Sequence, residues 1–418
     1  MLAACPEEST NRPRFPMTFP DSSRLLIVGA STRAAAASAA RAGFHPVCVD
    51  RFGDEDLRRI ATVLAVNDDL HRTLDSILAL PPMPWIYTGS VENDPKFIAK
   101  VSERHALLGN PPSVLKLVRD PFWLEPTLRT HDMPALRVCS VCSLAALGRA
   151  SESSAEGGQA TRDSWLLKPM RSGGGFRITH WTGQSLPTNE RFCLQEHRSG
   201  TPMSALFIAS ANEVELIGVC EQLIGPAFGA PTEFGYAGSI GPMVVSDRIR
   251  ELLQRLGNTL TREAQLRGVF GIDFILADDI PWLVELNPRY TASVEVLERS
   301  LGHALLADLR SVPLTSSLSP QRGEGRKTHA SVMPTSPRIV GKQIVFATRD
   351  LTAPALETLF EPVGHTPNSP VIADIPAPGT RIVAGWPICT VFAEGQSVAE
   401  CSARLAVRRQ SLLNALGD

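Results

Sequence analysis

Two carboxylates, Asp273 and Glu285, and the amide of Asn287 interrupt the apolar runs of the stretch from Gly268 to Glu298, which reads GVFGIDFILADDIPWLVELNPRYTASVEVLE. Apolar runs from Val269 to Leu276 and from Trp282 to Leu286 flank an Asp278-Asp279-Ile280-Pro281 turn and predict a β-hairpin. Asp273 interrupts the first run. Glu285 and Asn287 alternate with Val284 and Leu286, so the period of two places Glu285 and Asn287 on one sheet face. A connection with an odd number of residues centred on Asp279 would set Asp273 opposite Glu285 on that face. Such a set, once buried, requires protonation, a cationic partner or a metal, and an all-oxygen set suits Mg²⁺. Arg289 follows at the entrance of a helix predicted over Thr291 to Leu309, a position that favours anions. Asp278 and Asp279 read as turn residues and nothing more.

A second run with chemical potential lies upstream. Trp165-Leu166-Leu167-Lys168-Pro169 is a strand, Met170-Arg171-Ser172-Gly173-Gly174-Gly175 a glycine loop, and Phe176 to Trp181 again has strand character. The tip of such a hairpin can lie against a polyphosphate, because glycine lets backbone N–H groups approach anions and lysine supplies a mobile point charge. Neither a Gly-Lys-Ser/Thr sequence nor a helix follows, so this is not a Walker A loop.

The elements that must carry these runs begin with Arg24 to Gly29, a short buried strand, followed by Ala30-Ser31-Thr32-Arg33, an alanine-rich helix, Gly43 and a strand over Pro46 to Asp50. This is the β-loop-α-β start of a doubly wound sheet, and its first loop is where such sheets hold ligands. The G-x-G-x-x-G fingerprint is missing, which argues against a dinucleotide. The unit continues through Trp85 to Gly89 and Leu108-Gly109-Asn110. Residues 113 to about 133 are helical in pattern, with Leu115, Val118 and Leu128 as buried candidates and breaks expected at Pro121 and Pro126. Leu136 to Val141 reads as a strand and Ser151 to Asp163 as an exposed loop. Pro231 to Pro242, rich in glycine and aromatic residues, is a candidate lining for an acceptor substrate. Ser311 to Pro337 reads as a linker, and two strands, Gly341 to Ala347 and Arg381 to Ala384, are expected beyond it.

At 418 residues the chain exceeds one ordinary domain, and two or three units are expected. With 43% hydrophobic and 20% charged residues it is globular in composition, and no apolar run is long enough to cross a bilayer. A formal net charge of −2 leaves no basic footprint for nucleic acid and no polybasic membrane patch. The eight cysteines, at 5, 48, 139, 142, 193, 220, 389 and 401, are too sparse for a disulfide scaffold and fit a reduced, cytoplasmic setting. Cys139 and Cys142 form a lone C-x-x-C, with no second pair to complete a zinc set. Residues 1–21, with Pro6, Pro13, Pro16 and Pro20, read as a flexible extension rather than a signal peptide, and the natural start stays open.

Glu285-Leu286-Asn287-Pro288-Arg289, preceded by Gly271-Ile272-Asp273-Phe274, resembles the E-x-N-P-R segment of the ATP-grasp superfamily of ATP-dependent ligases. That resemblance implies an α/β (α+β) ATP-grasp fold. Its parts would be a Rossmann-like domain over 22–112, a two-lobed ATP-grasp domain over 113–310, a linker over 311–337 and a small β-rich C-terminal domain over 338–418. It further implies that Asp273, Glu285 and Asn287 bind Mg²⁺, with Mn²⁺ as an alternative, and that Arg289 contacts phosphate. The Lys168 strand and Ser172, Gly173, Gly174 and Gly175 resemble the family's flexible glycine-rich loop, with Lys168 on nucleotide phosphate. Phe192 to His197 resembles the hinge between the ATP-gripping lobes, with Gln195 and Glu196 as adenine and ribose contacts; where the family often has an acidic residue further on, this chain has Ser204. A first nucleotide-contacting cation is expected among Lys116, Arg119 and Arg129, with the choice open. The implied activity is ATP-dependent joining of a small carboxylate to an amine through an acylphosphate. The layout resembles the branch of tyramine–glutamate ligase and C1-carrier ligases, and a homodimer stays open. Bicarbonate activation, an NAD-dependent oxidoreductase and a nucleotide-binding regulator without turnover are the alternatives.

Overall fold

The computed structural model describes residues 23–65, 69–141, 165–171, 173–186, 191–210, 213–307, 338–356 and 371–417. The extension 1–21, the loop 151–163, the linker 311–337, Ser172 and Cys142 lie outside them.

Five short strands build the first sheet: β1 (Arg24–Val28), β2 (His45–Asp50), β3 (Thr62–Ala65), β4 (Pro84–Tyr87) and β5 (Ala106–Leu107). All pair in parallel in the order β3-β2-β1-β4-β5, so the order reverses at β1 and the loops after β1, β2 and β4 open on one edge. Helices α1 (Arg33–Arg41), α2 (Glu55–Arg58), α3 (Leu74–Ala79) and α4 (Pro95–Ser102) cover its faces. The alanines of α1 have a structural purpose. Ala35, Ala36 and Ala39 are buried beside Val294 and Leu297, and small side chains let this helix pack against a distant part of the chain.

Helices α5 (Pro112–Val118) and α6 (Pro121–Thr130) follow, and Leu115, Val118 and Leu128 are buried as expected. Pro121 starts α6, where its missing N–H costs nothing. Pro126, expected to break the helix, instead sits inside it. A small antiparallel sheet, ordered β6-β9-β7-β8, comes next, from β6 (Val138–Ser140), β7 (Trp165–Pro169), β8 (Thr179–His180) and β9 (Phe192–Glu196). Strand β8 is shorter than the expected Phe176 to Trp181, because turns occupy residues 174–177. Trp165, Leu167 and Leu194 form its thin core.

The large sheet is ordered β14-β13-β10-β11-β12-β15-β19-β17. Its members are β10 (Thr201–Ala209), β11 (Val214–Ile224), β12 (Tyr236–Gly241), β13 (Gly268–Ala277), β14 (Ile280–Asn287), β15 (Ile339–Phe346), β17 (Ile372–Ala373) and β19 (Pro387–Gly395). The strands expected to form a C-terminal domain thus extend the central sheet through the pairing of β12 with β15. Strands β16 (Leu351–Thr352) and β18 (Arg381–Ile382) make a separate pair. Helix α7 (Asp247–Ala264), capped by Ser246, buries Leu253, Leu256 and Leu260 on one face of the sheet. Gly257 of α7 sits on the Phe207 ring, where a Cβ would come within 2.5 Å of it. Helix α8 (Ala292–Leu301) lies under α1, and α9 (Val398–Leu416) closes the C-terminal strands.

Arg33, at the start of α1, ties these units together. Buried to 3% exposure, it chelates Glu295 of α8 and pairs with Asp374 (2.9 Å) and Asp56 (3.5 Å). Asp54 stands beside this group with less help. Burial, followed by the charges of Asp374, Asp56 and Asp50, pushes its carboxyl up to about 8. A folded value above the unfolded one means that stability is lost as pH rises from about 4 through about 8. Asp54→Asn should therefore flatten this decline and melt at least about 2 °C higher than the parent at pH 8, with little gain at pH 4. Thermal unfolding at the two pH values checks this.

Candidate active site

Turn chemistry builds the acidic site. The β13–β14 connection is a two-residue loop, Asp278-Asp279, with φ of 53° and 56°, as in a type I′ hairpin, and Ala277 pairs with Ile280. Pro281 therefore belongs to the strand rather than the turn, which it can do because β14 is a sheet edge. An even loop alone would face Asp273 with Val284. A register shift between Asp273 and Phe274 leaves Val284 as the extra residue of a β-bulge, so Asp273 pairs with Glu285 and Gly271 with Asn287. The carboxylates meet because of the bulge.

Asn287 Nδ2 donates to Asp273 Oδ2 (2.9 Å) and Glu285 Oε1 (3.4 Å), and Gln222 Nε2 of β11 donates to Asp273 Oδ1 (3.0 Å). Burial and then the charge of Glu285 push the Asp273 carboxyl up to about 8. For Glu285 burial acts upward too, but Lys168, Arg119 and Arg289 hold its carboxyl below the usual range. The site thus favours the protonated form of Asp273 and the charged form of Glu285. Two buried carboxylates paired across neighbouring strands take either a proton or a cation, and the oxygen donors fit a hard divalent ion. Among the described residues no cluster of three His, Cys, Asp or Glu could hold a metal, and beside the two acids Asn287 presents Nδ2 to them and Oδ1 to Arg289.

Arg289 is fixed by three different acceptors. Nε donates to Glu92 Oε1 (2.6 Å), Nη1 to the Tyr290 carbonyl (3.2 Å) and Nη2 to Asn287 Oδ1 (3.1 Å). Glu92 comes from the loop after β4, and Gly89 of that loop has its ideal Cβ position 3.7 Å from the guanidinium. Asn110 clamps the same segment, donating to the carbonyls of Pro288 (3.0 Å) and Arg267 (3.1 Å). The first domain thus presses its ligand edge onto the Glu285–Arg289 run.

Between the lobes lies an open cleft lined by Arg119, Leu124, Lys168, Gln195, Glu285 and Leu286 among others. Lys168 Nζ donates to Gln195 Oε1 (3.0 Å), and Gln195 Nε2 donates to the carbonyl of the bulged Val284 (3.0 Å). Gln195 therefore links the lysine of one lobe to the acids of the other. Glu196 stands apart from the lining, paired with Arg137 (3.1 Å) and Arg198 (3.7 Å). Of the three candidate cations, only Arg119 lines the cleft; Lys116 is exposed and Arg129 pairs with Glu125.

Gly173 and Gly174 have open space around them, whereas Gly175, at φ 75°, could carry no side chain: a Cβ would sit 1.6 Å from the Phe234 carbonyl oxygen. Tyr236 N donates to the Gly174 carbonyl (3.0 Å), so the glycine loop rests on the Pro231 to Pro242 segment. Ser204 of β10, buried, pairs with Asp273 of β13. All six described cysteines are free thiols.

Glu92 and Gln222 were not singled out from sequence. Glu92 follows a parallel strand at its ligand edge, a signal that could have found it. Gln222 lies amid an eleven-residue strand with nothing local to mark it.

Two lobes of antiparallel sheet gripping a cleft, with a Rossmann-like sheet closing one side, constitute the ATP-grasp fold. Residues 143–293 match the model of the ATP-grasp domain family. Structures similar to this chain include a biotin carboxylase-beta-gamma-ATP complex from Campylobacter jejuni (TM-score 0.67, 11% identity, covering 95% of each chain). An L-amino acid ligase from Bacillus licheniformis is similar at TM-score 0.63 and 13% identity, over 94% of this chain and 98% of that one. N5-carboxyaminoimidazole ribonucleotide synthetase in its ADP complex is similar at TM-score 0.62 and 13% identity, over 95% and 98%. In sequence, an uncharacterized protein of Methanocaldococcus jannaschii is 25% identical over 159 residues, covering 38% of this chain and 34% of that relative. The match thus spans about a third of the relative's length. No helix among the described residues is long and apolar enough to cross a membrane.

Proposed function

We propose that the protein is an ATP- and Mg²⁺-dependent ligase that joins a carboxylate to an amine through an acylphosphate, releasing ADP and phosphate. The observation that carries this is the meeting of Asp273, Glu285, Asn287 and Arg289 at one end of a cleft whose wall presents Lys168 and Arg119. When bound, Mg²⁺ supplies charge neutralisation at the phosphoryl group, and Asp273, Glu285 and Asn287 are its ligands. Lys168 and Arg119 draw the phosphates into the cleft, Gln195 steadies Lys168, and the backbone of Gly173 to Gly175 covers them. Arg289, aimed by Glu92, holds the oxygens of the transferring group and of the substrate acid in line. No protein nucleophile is required.

The neighbours' names support the class and differ within it. An L-amino acid ligase favours a carboxylate and an amine, whereas biotin carboxylase favours bicarbonate activation as the second reading. Service to a C1-carrier, methanopterin- or methanofuran-like pathway rests on the resemblance of the overall layout and of the Glu285–Arg289 run to that branch. A cytoplasmic site of action and a homodimer belong to the same reading.

The test is ADP release measured over pairs of carboxylates and amines. Release that needs both partners supports the ligase, release with bicarbonate supports the carboxylase, and release with neither contradicts both. Lys168→Ala should weaken ATP binding on the order of tenfold or more, read by calorimetry, because a charged donor to phosphate is lost.

A further inference from the structure

Two neighbouring side chains of one turn in the first domain hold two arginines of the catalytic cleft. The chain after β4 makes a single 3₁₀ turn over Val91–Asn93. Glu92 Oε1 of this turn accepts from Arg289 Nε (2.6 Å), and Asn93 Oδ1 accepts from Arg119 Nη2 (3.0 Å). Arg119 follows α5 and Arg289 follows β14, so one short turn reaches two distant parts of the chain. Burial pushes the Glu285 carboxyl up, and both arginines, with Lys168, pull it down, so they stand together on the acid site.

The turn is built to keep its shape. Val91 is buried in the core beside Trp85, Tyr87 and Phe97. Asn93 N donates to the Ser90 carbonyl (3.1 Å) and Asp94 N to the Val91 carbonyl (2.9 Å), and Asp94 then caps α4 by accepting from Phe97 N (3.0 Å). Ser90, which leads into the turn, has φ of 81°, a conformation costly to a residue with a Cβ. Glu92 carries a cost of its own, since it is buried and its Oε2 has no hydrogen-bond partner among the described residues. A connection from β4 to α4 requires neither feature.

The two residue types differ in what they do to the arginines. Glu92 offsets the charge of Arg289, whereas the neutral Asn93 amide orients the Arg119 guanidinium without cancelling its charge. An oriented guanidinium that keeps its charge is what a phosphate oxygen needs.

We propose that Asn93 is a positioning residue for Arg119, and that the Val91–Asn93 turn sets the spacing of both arginines. The first domain thereby shapes the grip on the triphosphate from outside the two lobes. This rests on the ATP-binding half of the ligase reading and not on either substrate.

The probe is the β,γ-imido analogue of ATP with Mg²⁺, titrated calorimetrically into the full chain, so no turnover is needed. Asn93→Ala should weaken binding by about fivefold or more, because Arg119 must then be ordered at each binding event. Asn93→Asp keeps an acceptor of the same shape, yet it should weaken binding at least as much, since its carboxylate cancels the charge meant for phosphate. This variant carries the test should the alanine variant not fold. In an Arg119→Gln background, Asn93→Ala should cost less than about twofold, because nothing is left to position. Parent-like affinity of either single variant, or an equal loss in both backgrounds, overturns the role of Asn93 and leaves the ligase reading untouched. The expected coupling in a chain that releases no ADP with any pair of substrates would overturn the ligase and leave the turn's role standing. A parent that does not bind the analogue overturns both.

Discussion

Glu285→Ala and Asn287→Ala should each lower Mg²⁺-dependent ATP turnover by about a thousandfold or more while the protein stays folded. The expectation for the fold comes from where these side chains point. Glu285 lies on an edge strand, and its nearest polar partners are Asn287 and the acid Asp273, whose carboxyl it crowds. Removing it ends the crowding of Asp273 but also gives up the attraction of Lys168, Arg119 and Arg289, two effects of opposite sign, and leaves no apolar cavity, since Leu283 and Leu286 carry the packing of β14. Circular dichroism and thermal unfolding should match the parent, with ADP release lost. A variant that turns over at the parent's rate would mean that these oxygens hold no ion needed for reaction.

Arg289→Lys should be as damaging as deletion of the charge, with a loss of kcat/KM of at least about a thousandfold. The guanidinium serves Glu92, Asn287 and the Tyr290 carbonyl in three directions at once, and an ammonium at the end of a flexible stem cannot reproduce that fork. Glu92 is 2% exposed and relies on this partner, so the lysine variant should also unfold at lower temperature. Glu92→Gln separates the two effects, since its amide oxygen still accepts from Nε. It should recover stability relative to Arg289→Lys and keep most of the activity. Equal activity of Arg289→Lys and parent would show that charge alone suffices, and that the aim given by Glu92 is irrelevant.

How much of this could be read from residues alone is clearest at the hairpin. Alternation placed Glu285 and Asn287 on one face, and that holds because the pleat leaves no choice. The pairing of Asp273 with Glu285 was reached through an odd turn centred on Asp279. The molecule uses an even turn and a bulge at Val284, two departures that cancel. A one-residue slip reverses every side chain, and no local signal announces a bulge. Helices α5 and α6 were visible in their buried leucines, but the tolerance of Pro126 was not, since it depends on packing. Glu196 is expected as a nucleotide contact through the resemblance of Phe192 to His197 to the family's hinge, whereas its carboxylate pairs with Arg198 and Arg137. Its partner Arg137 lies 59 residues away, across the β6–β9 pairing. The same blindness to distant pairing hid the joining of β15 to β12 and the hold of Glu92 on Arg289, 197 residues apart.

The central claim is that a carboxylate oxygen attacks the terminal phosphoryl group of ATP. An amine does not displace oxide from a carboxylate at useful rates, whereas phosphate leaves readily once an acylphosphate exists, so activation has to come first. The direct measurement uses an acceptor pair that supports ADP release, with the acid labelled in both oxygens with heavy oxygen, and mass analysis of the inorganic phosphate formed. Labelled phosphate equal in amount to the amide is the predicted result. Unlabelled phosphate, or label carried into AMP with pyrophosphate released, would contradict it.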